Sequence, residues 1–276
     1  MKSVKEGCES IISRLSGDEE KLKIVCDVCG EPKYQSFDVE FGGEMRRVIT
    51  PRQCECARLR AAQYQEQARR NDVEIARDRT FANPNAKLCR FETSQESVNL
   101  RTIRRYADKW EDVVRSGGAG LLLWGGVGTG KTHSAYCLAN ALIDKGVSVF
   151  ITTIPSLADS VFDDKFGKAH MMNRVRGCGL LILDDIGTER DTAFMSEKAF
   201  EFIDERIKTG KPIVVTTNIS PADMDSADDI NKKRIFDRVR GATVSIEFKG
   251  TSKRAEKAAQ NAARLRDILN GAGGEE

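Results

Sequence analysis

The chain has 276 residues, with 44 Lys and Arg against 42 Asp and Glu, for a net charge of +2. That length suits one full α/β domain plus a small module, and the near-balance of charge gives no global field drawing the protein towards a polyanion. No apolar stretch reaches membrane length and no basic-then-apolar leader opens the chain, so a cytoplasmic protein with no membrane partner is expected.

Taken in order, residues 1–19 carry Val4, Cys8, Ile11, Ile12 and Leu15 at helical spacing and predict a short helix ending at Gly17. Residues 20–60 change character, with turn residues, an alternating segment from Tyr34 to Phe41, and four of the eight cysteines. Cys26-x2-Cys29 and Cys54-x-Cys56 form two close pairs, the ligand spacing of a tetrahedral structural zinc site, and Gly30 suits the turn after the first pair. So small a module cannot hold a core alone, and Zn2+ would supply folding free energy. Four free thiols in a small core is the competing interpretation, because C-x-C is less specific than a second C-x-x-C. The isolated Cys8, Cys89, Cys137 and Cys178 are expected to be packing residues, as is the His133–Cys137 pair, and His170 a surface residue.

Residues 57–79 are rich in Arg, Glu, Gln and Ala and predict an exposed charged helix. A turn around Phe81-Ala82-Asn83-Pro84-Asn85 places an inter-domain linker near 80–90. The expected division is a module over 1–60, a charged helix and linker over 61–90, a nucleotide-binding domain over 91–250, and a C-terminal helix with a disordered tail over 251–276. Within the domain, a helix over 95–115 precedes strands at Gly120–Trp124, Val147–Thr153, Leu180–Leu183, Pro212–Thr217 and Thr243–Phe248, with helices His133–Asp144, Ser156–Phe166 and Ser196–Thr209 between them. Strands separated by helices predict an α/β fold with a parallel five-stranded sheet covered on both faces, and ligands at the strand C-termini.

Gly125-Gly126-Val127-Gly128-Thr129-Gly130-Lys131-Thr132 is a complete G-x-x-x-x-G-K-T loop between the first of these strands and an apolar-striped helix. Its backbone N–H groups would cradle a polyphosphate at a helix N-terminus, Lys131 would reach the β/γ-phosphates, and Thr132 would ligate Mg2+. Leu180-Leu181-Ile182-Leu183 ends in Asp184-Asp185. Asp184 is expected to hold Mg2+ and Asp185 to orient the attacking water, a role often filled by the longer Glu, so slow hydrolysis is anticipated. Val214-Val215-Thr216-Thr217-Asn218 ends a strand in a polar amide. Asn218 can reach the γ-phosphate or the water if that strand lies between the other two, and otherwise simply starts the turn before Pro221.

The order of phosphate loop, Leu-Ile-Leu-Asp-Asp-Ile-Gly, Val-Val-Thr-Thr-Asn and Lys-Arg-Ile-Phe-Asp-Arg-Val-Arg resembles the AAA+ ATPases of the DnaC/DnaI helicase-loader group over about residues 88–255, and the related IstB transposition helpers share much of it. The resemblance implies that Arg238 is a finger given to a neighbouring subunit, with Arg234 nearby. Phe248-Lys249-Gly250-Thr251-Ser252-Lys253-Arg254 resembles a later F-x-G-x-S-x-R motif, which makes Arg254 a sensor in cis. Lys253 departs from the aromatic common there, and the lid is reduced to one helix. A zinc module ahead of the ATPase is similar to DnaI and phage loaders. Arg238 is also compatible with a solvated helix face, since Lys232, Lys233, Arg234 and Arg240 surround it.

The resemblance implies an ATP-dependent switch that holds a hexameric replicative helicase and single-stranded DNA and forms a homo-oligomer when ATP is bound. Two other outcomes stay open. One is an IstB-like regulator of a transposase on duplex DNA. The other is an adaptor in which ATP only stabilises assembly.

Overall fold

The computed structural model describes residues 19–160, 167–187 and 192–271. The helix predicted over 1–19 lies almost wholly outside them, as do residues 161–166 of the helix predicted over 156–166 and the tail beyond residue 271. The chain divides into two compact units, Met1–Asp72 and Val73–Glu276. Among the described residues no helix is long and apolar enough to cross a membrane.

In the first unit, Tyr34–Phe41 (β1) and Glu44–Pro51 (β2) pair antiparallel, with Phe41 opposite Glu44. Only Gly42 and Gly43 join them, both at positive φ (67° and 85°), the backbone that a two-residue hairpin turn requires. The helix α1 (Glu55–Thr80) starts inside the second cysteine pair and passes unbroken through residue 60, so the chain divides within it and not at a loop.

In the second unit the strands β3 (Gly120–Gly125), β4 (Val149–Thr152), β5 (Leu180–Ile186), β6 (Ile213–Thr217) and β7 (Thr243–Phe248) form a parallel sheet in the order β4-β5-β6-β3-β7. Alternate strand residues feed two cores. Leu121, Leu123, Leu180, Ile182 and Val214 pack on one face with Ile103 and Leu138. These two residues come from the helices Val98–Asp108 and Lys131–Asp144. Leu122, Leu181, Leu183, Ile213 and Val215 pack on the other with Val175, Phe202 and Val239. Those come from Gly167–Gly177, Ala193–Lys208 and Ile230–Ala242. Each such Leu, Ile or Val contributes about 1.5–3 kcal/mol by leaving water, which is why strands buried on both faces read as unbroken apolar runs.

Local chemistry explains where the elements depart from the sequence expectation. The predicted helix over 95–115 is two, Val98–Asp108 and Trp110–Arg115, broken at Lys109, which closes one helix and opens the next. The predicted turn near residue 84 holds a short helix, Pro84–Lys87, because the Asn83 side chain accepts from the Asn85 N–H and Pro84 pre-sets the first turn. The helix after β4 runs Ile154–Asp159, started by Thr153 as cap with Pro155 in its first turn.

One polar side chain locks the sheet at its base. Arg206 is fully buried, and its guanidinium donates to the carbonyls of Val175, Cys178, Gly179 and Pro212 at 2.6–3.2 Å. It thereby ties the ends of Gly167–Gly177 and Ala193–Lys208 to the starts of β5 and β6. Arg206→Met would fill the space but leave those buried carbonyls without donors, at a cost of about 3 kcal/mol or more. Urea unfolding checks this: a midpoint equal to that of the parent would show that water replaces the guanidinium freely.

Candidate nucleotide-binding site

The helix α2 (Lys131–Asp144) begins at Gly130, whose left-handed φ of 102° turns the loop inward and which has no side chain to cap the helix. Those N–H groups, with the helix dipole behind them, form an anion site. Gly128 is indispensable for a different reason. Its φ is +78°, and a Cβ there would meet Ser252 Oγ at 2.1 Å. Lys253 N–H also donates to Gly128 O at 3.0 Å. The segment after β7 thus clasps the phosphate loop, which brings Arg254 to the cleft.

Lys131 is buried, and its Nζ donates at 2.8 Å to Gly125 O, Gly126 O and Asn218 Oδ1. Burial lowers the ammonium pKa from its usual value, Arg254 adds to the effect, and Asp185 and Asp184 oppose it. A polyphosphate at this position would restore the charge that burial disfavours. β6 lies between β5 and β3, the arrangement that Asn218 needs to reach the site. Asn218 Nδ2 donates to Asp185 Oδ1 at 3.4 Å.

Thr132 Oγ1 donates to Asp184 Oδ1 at 2.9 Å. A hydroxyl and a carboxylate side by side are the hard oxygen donors that suit Mg2+. Both carboxylates line the same cleft, although neighbours on a strand normally face opposite ways. Asp185 is the residue out of line, with φ at 61°, the one described non-glycine residue at positive φ. The cleft, of about 600 Å3, is lined by the phosphate loop, Asp184, Asp185, Asn218 and Arg254, and extends to Asn83, Gln95, Ser97 and Tyr136. None of those last four carries a site role by motif: Asn83, Gln95 and Ser97 lie ahead of the loop, and Tyr136 sits one turn into the helix that follows it.

Arg238 is not among the lining residues. It sits on the helix Ile230–Ala242, half exposed, with its Nε 3.4 Å from Asp204 Oδ1. Arg234, one turn earlier, lies 4.3 Å over the Phe200 ring. His133 and Cys137 are 3.6 Å apart, and His133 Nε2 meets Ser94 Oγ at 2.7 Å.

A matching family model spans residues 58–261 and describes an IstB-like ATP-binding protein. The chain belongs to the IstB-like ATP-binding family. Among relatives, it is 24% identical over 208 residues to the replicative helicase loader DnaC of Escherichia coli (strain K12), covering 71% of this chain and 82% of that one. It is 30% identical over 209 residues to an ATP-binding protein in an insertion sequence of Mycobacterium tuberculosis, covering 72% and 73%. Among solved structures, that of DnaI superposes with a TM-score of 0.51 at 21% identity, over 63% of this chain and 95% of that one. The sheet and its helices are therefore of the AAA+ kind, and the phosphate loop is that of an ATP-binding protein.

In the first unit, Cys26, Cys29, Cys54 and Cys56 converge, all four Sγ atoms lying within 4.8 Å of one another. Cys26 and Cys29 flank a tight turn in which Gly30 N–H donates to Cys26 O at 2.8 Å, while Cys56 rides on the first turn of α1. The backbone N–H groups of Cys29 and Val28 hold the Cys26 thiol down at about 6. The Cys54 sulfur, followed by those of Cys26 and Cys29, pushes Cys56 up to about 12. Hydrogen bonds thus favour the thiolate at Cys26 and, together with burial, the protonated thiol at Cys56. Four sulfur donors converging this closely fit a thiophilic divalent metal ion, which binds them as thiolates. Arg60, one turn along α1, reaches Cys56 Sγ at 3.7 Å, a partner that the cysteine spacing could not reveal.

Proposed function

We propose that this protein is an ATP-dependent loader that holds a hexameric replicative helicase through its N-terminal cysteine module and single-stranded DNA through its ATPase domain. The observation that carries this reading is the four-cysteine module preceding an ATP-binding domain related to DnaC over most of DnaC's length. Residues 1–60 would dock the helicase, 61–90 connect, 91–250 hydrolyse ATP, and 251–276 form the reduced lid.

In the ATPase cycle the phosphate-loop N–H groups and Lys131 would bind the β- and γ-phosphates, with Thr132 and Asp184 as the Mg2+ ligands. Mg2+, when bound, neutralises charge on the phosphates. Asp185 would accept a hydrogen bond from the attacking water and align it, while Asn218 holds the side of the site facing β6. Arg254 would balance charge in cis, and Arg238 of a neighbouring chain would do so in trans. Hydrolysis by this set acts as a switch.

The insertion-sequence relative favours a second reading, an IstB-like regulator of a transposase on duplex DNA. Co-purification of the full chain with the replicative helicase of its own host, in ATP and in ADP, separates the two. Binding to a transposase on duplex DNA without helicase binding would sink the loader. The nucleotide roles have their own test. Lys131→Ala should weaken ATP binding, whereas Asp185→Asn should bind normally and lose turnover by about 10²-fold or more. Wild-type hydrolysis by Asp185→Asn would assign the water to another group, and an adaptor without turnover would show no difference between parent and variant.

A further inference from the structure

Two acidic residues in succession cannot both face the nucleotide cleft from a regular strand, yet Asp184 and Asp185 do. The pairing of β5 with β6 shows how. Leu183 is opposite Val215 and Ile186 opposite Thr217, so β5 spends two residues between them, Asp184 and Asp185, where β6 spends one, Thr216. This is a bulge in a parallel pair, where bulges are rare. The extra residue is Asp185, which adopts the left-handed backbone, and Ile186 regains the same core face as Leu183.

Thr216 fills the gap in the ladder with its side chain. It is buried, with 1% of its surface exposed. Its hydroxyl donates to Asp184 Oδ1 at 2.6 Å and accepts from the Asp185 N–H at 2.8 Å. Asp184 Oδ1 also receives the Thr132 hydroxyl at 2.9 Å, so this one oxygen is pinned from both neighbouring elements. On the opposite face Thr217 Oγ1 donates to Ile186 O at 2.7 Å and closes the far side of the bulge.

We propose that Thr216 is a positioning residue of the phosphoryl-transfer site, fixing the orientation of Asp184 and the left-handed backbone of Asp185 through a single hydroxyl. This rests on the ATPase reading of the cleft. A hydroxyl is the one small group that can donate to a carboxylate and accept from an N–H at once. Valine has the same shape and can do neither. Residues that orient metal ligands from outside the coordination sphere typically contribute about 10–100-fold to metal affinity or activity.

The full-length chain carrying Thr216→Val should turn over MgATP about 10–100-fold more slowly with its KM for ATP within about threefold of the parent. Thr216→Ser should recover most of that loss. A residue that merely packs would shift the melting temperature but leave kcat intact and give serine no advantage. Valine with a kcat within about twofold of the parent, or serine as impaired as valine, overturns the proposal. If Thr216→Val does not fold, Thr216→Cys, with a weak donor in the same volume, carries the same comparison against serine. Should the parent itself hydrolyse nothing, the ATPase reading fails separately. Binding of a fluorescent ATP analogue in a Mg2+ titration then decides: about tenfold more Mg2+ needed by valine or cysteine supports the proposal, and an unchanged half-saturation point rejects it.

Discussion

Arg238→Ala should bind ATP almost normally and hydrolyse it about 10³-fold more slowly than the parent, since a guanidinium finger contributes on the order of 10³–10⁵ to turnover. Arg254 already lines the cleft of its own chain, whereas Arg238 lies on the helix Ile230–Ala242 outside the cleft lining, half exposed and paired with Asp204. An arginine so placed can serve a second molecule with little rearrangement, because a half-exposed ion pair holds it only weakly, by about 1 kcal/mol or less. Activity should accordingly rise faster than linearly with protein concentration. The decisive measurement mixes Arg238→Ala with Lys131→Ala chains. The first retains a nucleotide pocket and the second a finger, so mixed assemblies should regain part of the turnover that each lacks alone. If mixed oligomers form and remain inactive, the finger is not Arg238, and Arg234, stacked on Phe200 one turn away, becomes the candidate.

Removing the cysteine ligands should abolish the fold of the N-terminal module. The Sγ atoms of Cys26, Cys29 and Cys54 each lie 3.2–3.4 Å from Cys56 Sγ. Around zinc with 2.3 Å bonds, tetrahedral sulfurs sit about 3.8 Å apart, so a small expansion of the cluster accommodates the ion. The purified chain should carry about one zinc, as four ligands complete one tetrahedral site, and retention should weaken as pH falls because the ligands bind as thiolates. Structural zinc supplies on the order of 10 kcal/mol to such modules, more than a hairpin with exposed Phe37, Val39 and Met45 can recover from packing. Replacing Cys29 and Cys54 by Ser should therefore expose the module to protease while ATP binding persists. A metal-free chain whose N-terminal region resists proteolysis would leave four ordinary thiols.

The phosphate loop, the strand runs and both cysteine pairs were legible because each is a local pattern with a fixed physical purpose. Leu180-Leu181-Ile182-Leu183 could only be a strand buried on both faces. What escaped was polar and non-local. Thr216 reads as the tail of an apolar run, and its partnership with the Asp pair appears only when β5 and β6 are aligned out of step. Asn140, whose amide holds Ala86 O and Cys89 O, and Arg77, bonded to Asn140 and paired with Asp144, look like solvent-facing helix residues by spacing alone. A polar side chain inside a helix gives no local sign that its partners come from another element. The hairpin was within reach: Gly42-Gly43 between two alternating segments is a two-residue turn.

Arg206 grips the entry ends of β5 and β6, while the Asp pair, Thr216 and Asn218 occupy the exit ends of the same two strands, about 13–20 Å away at some 3.3 Å per residue. Foundation and workshop thus stand at opposite ends of one short pair of strands. The irregular backbone at the exit can be tolerated because cohesion is secured elsewhere.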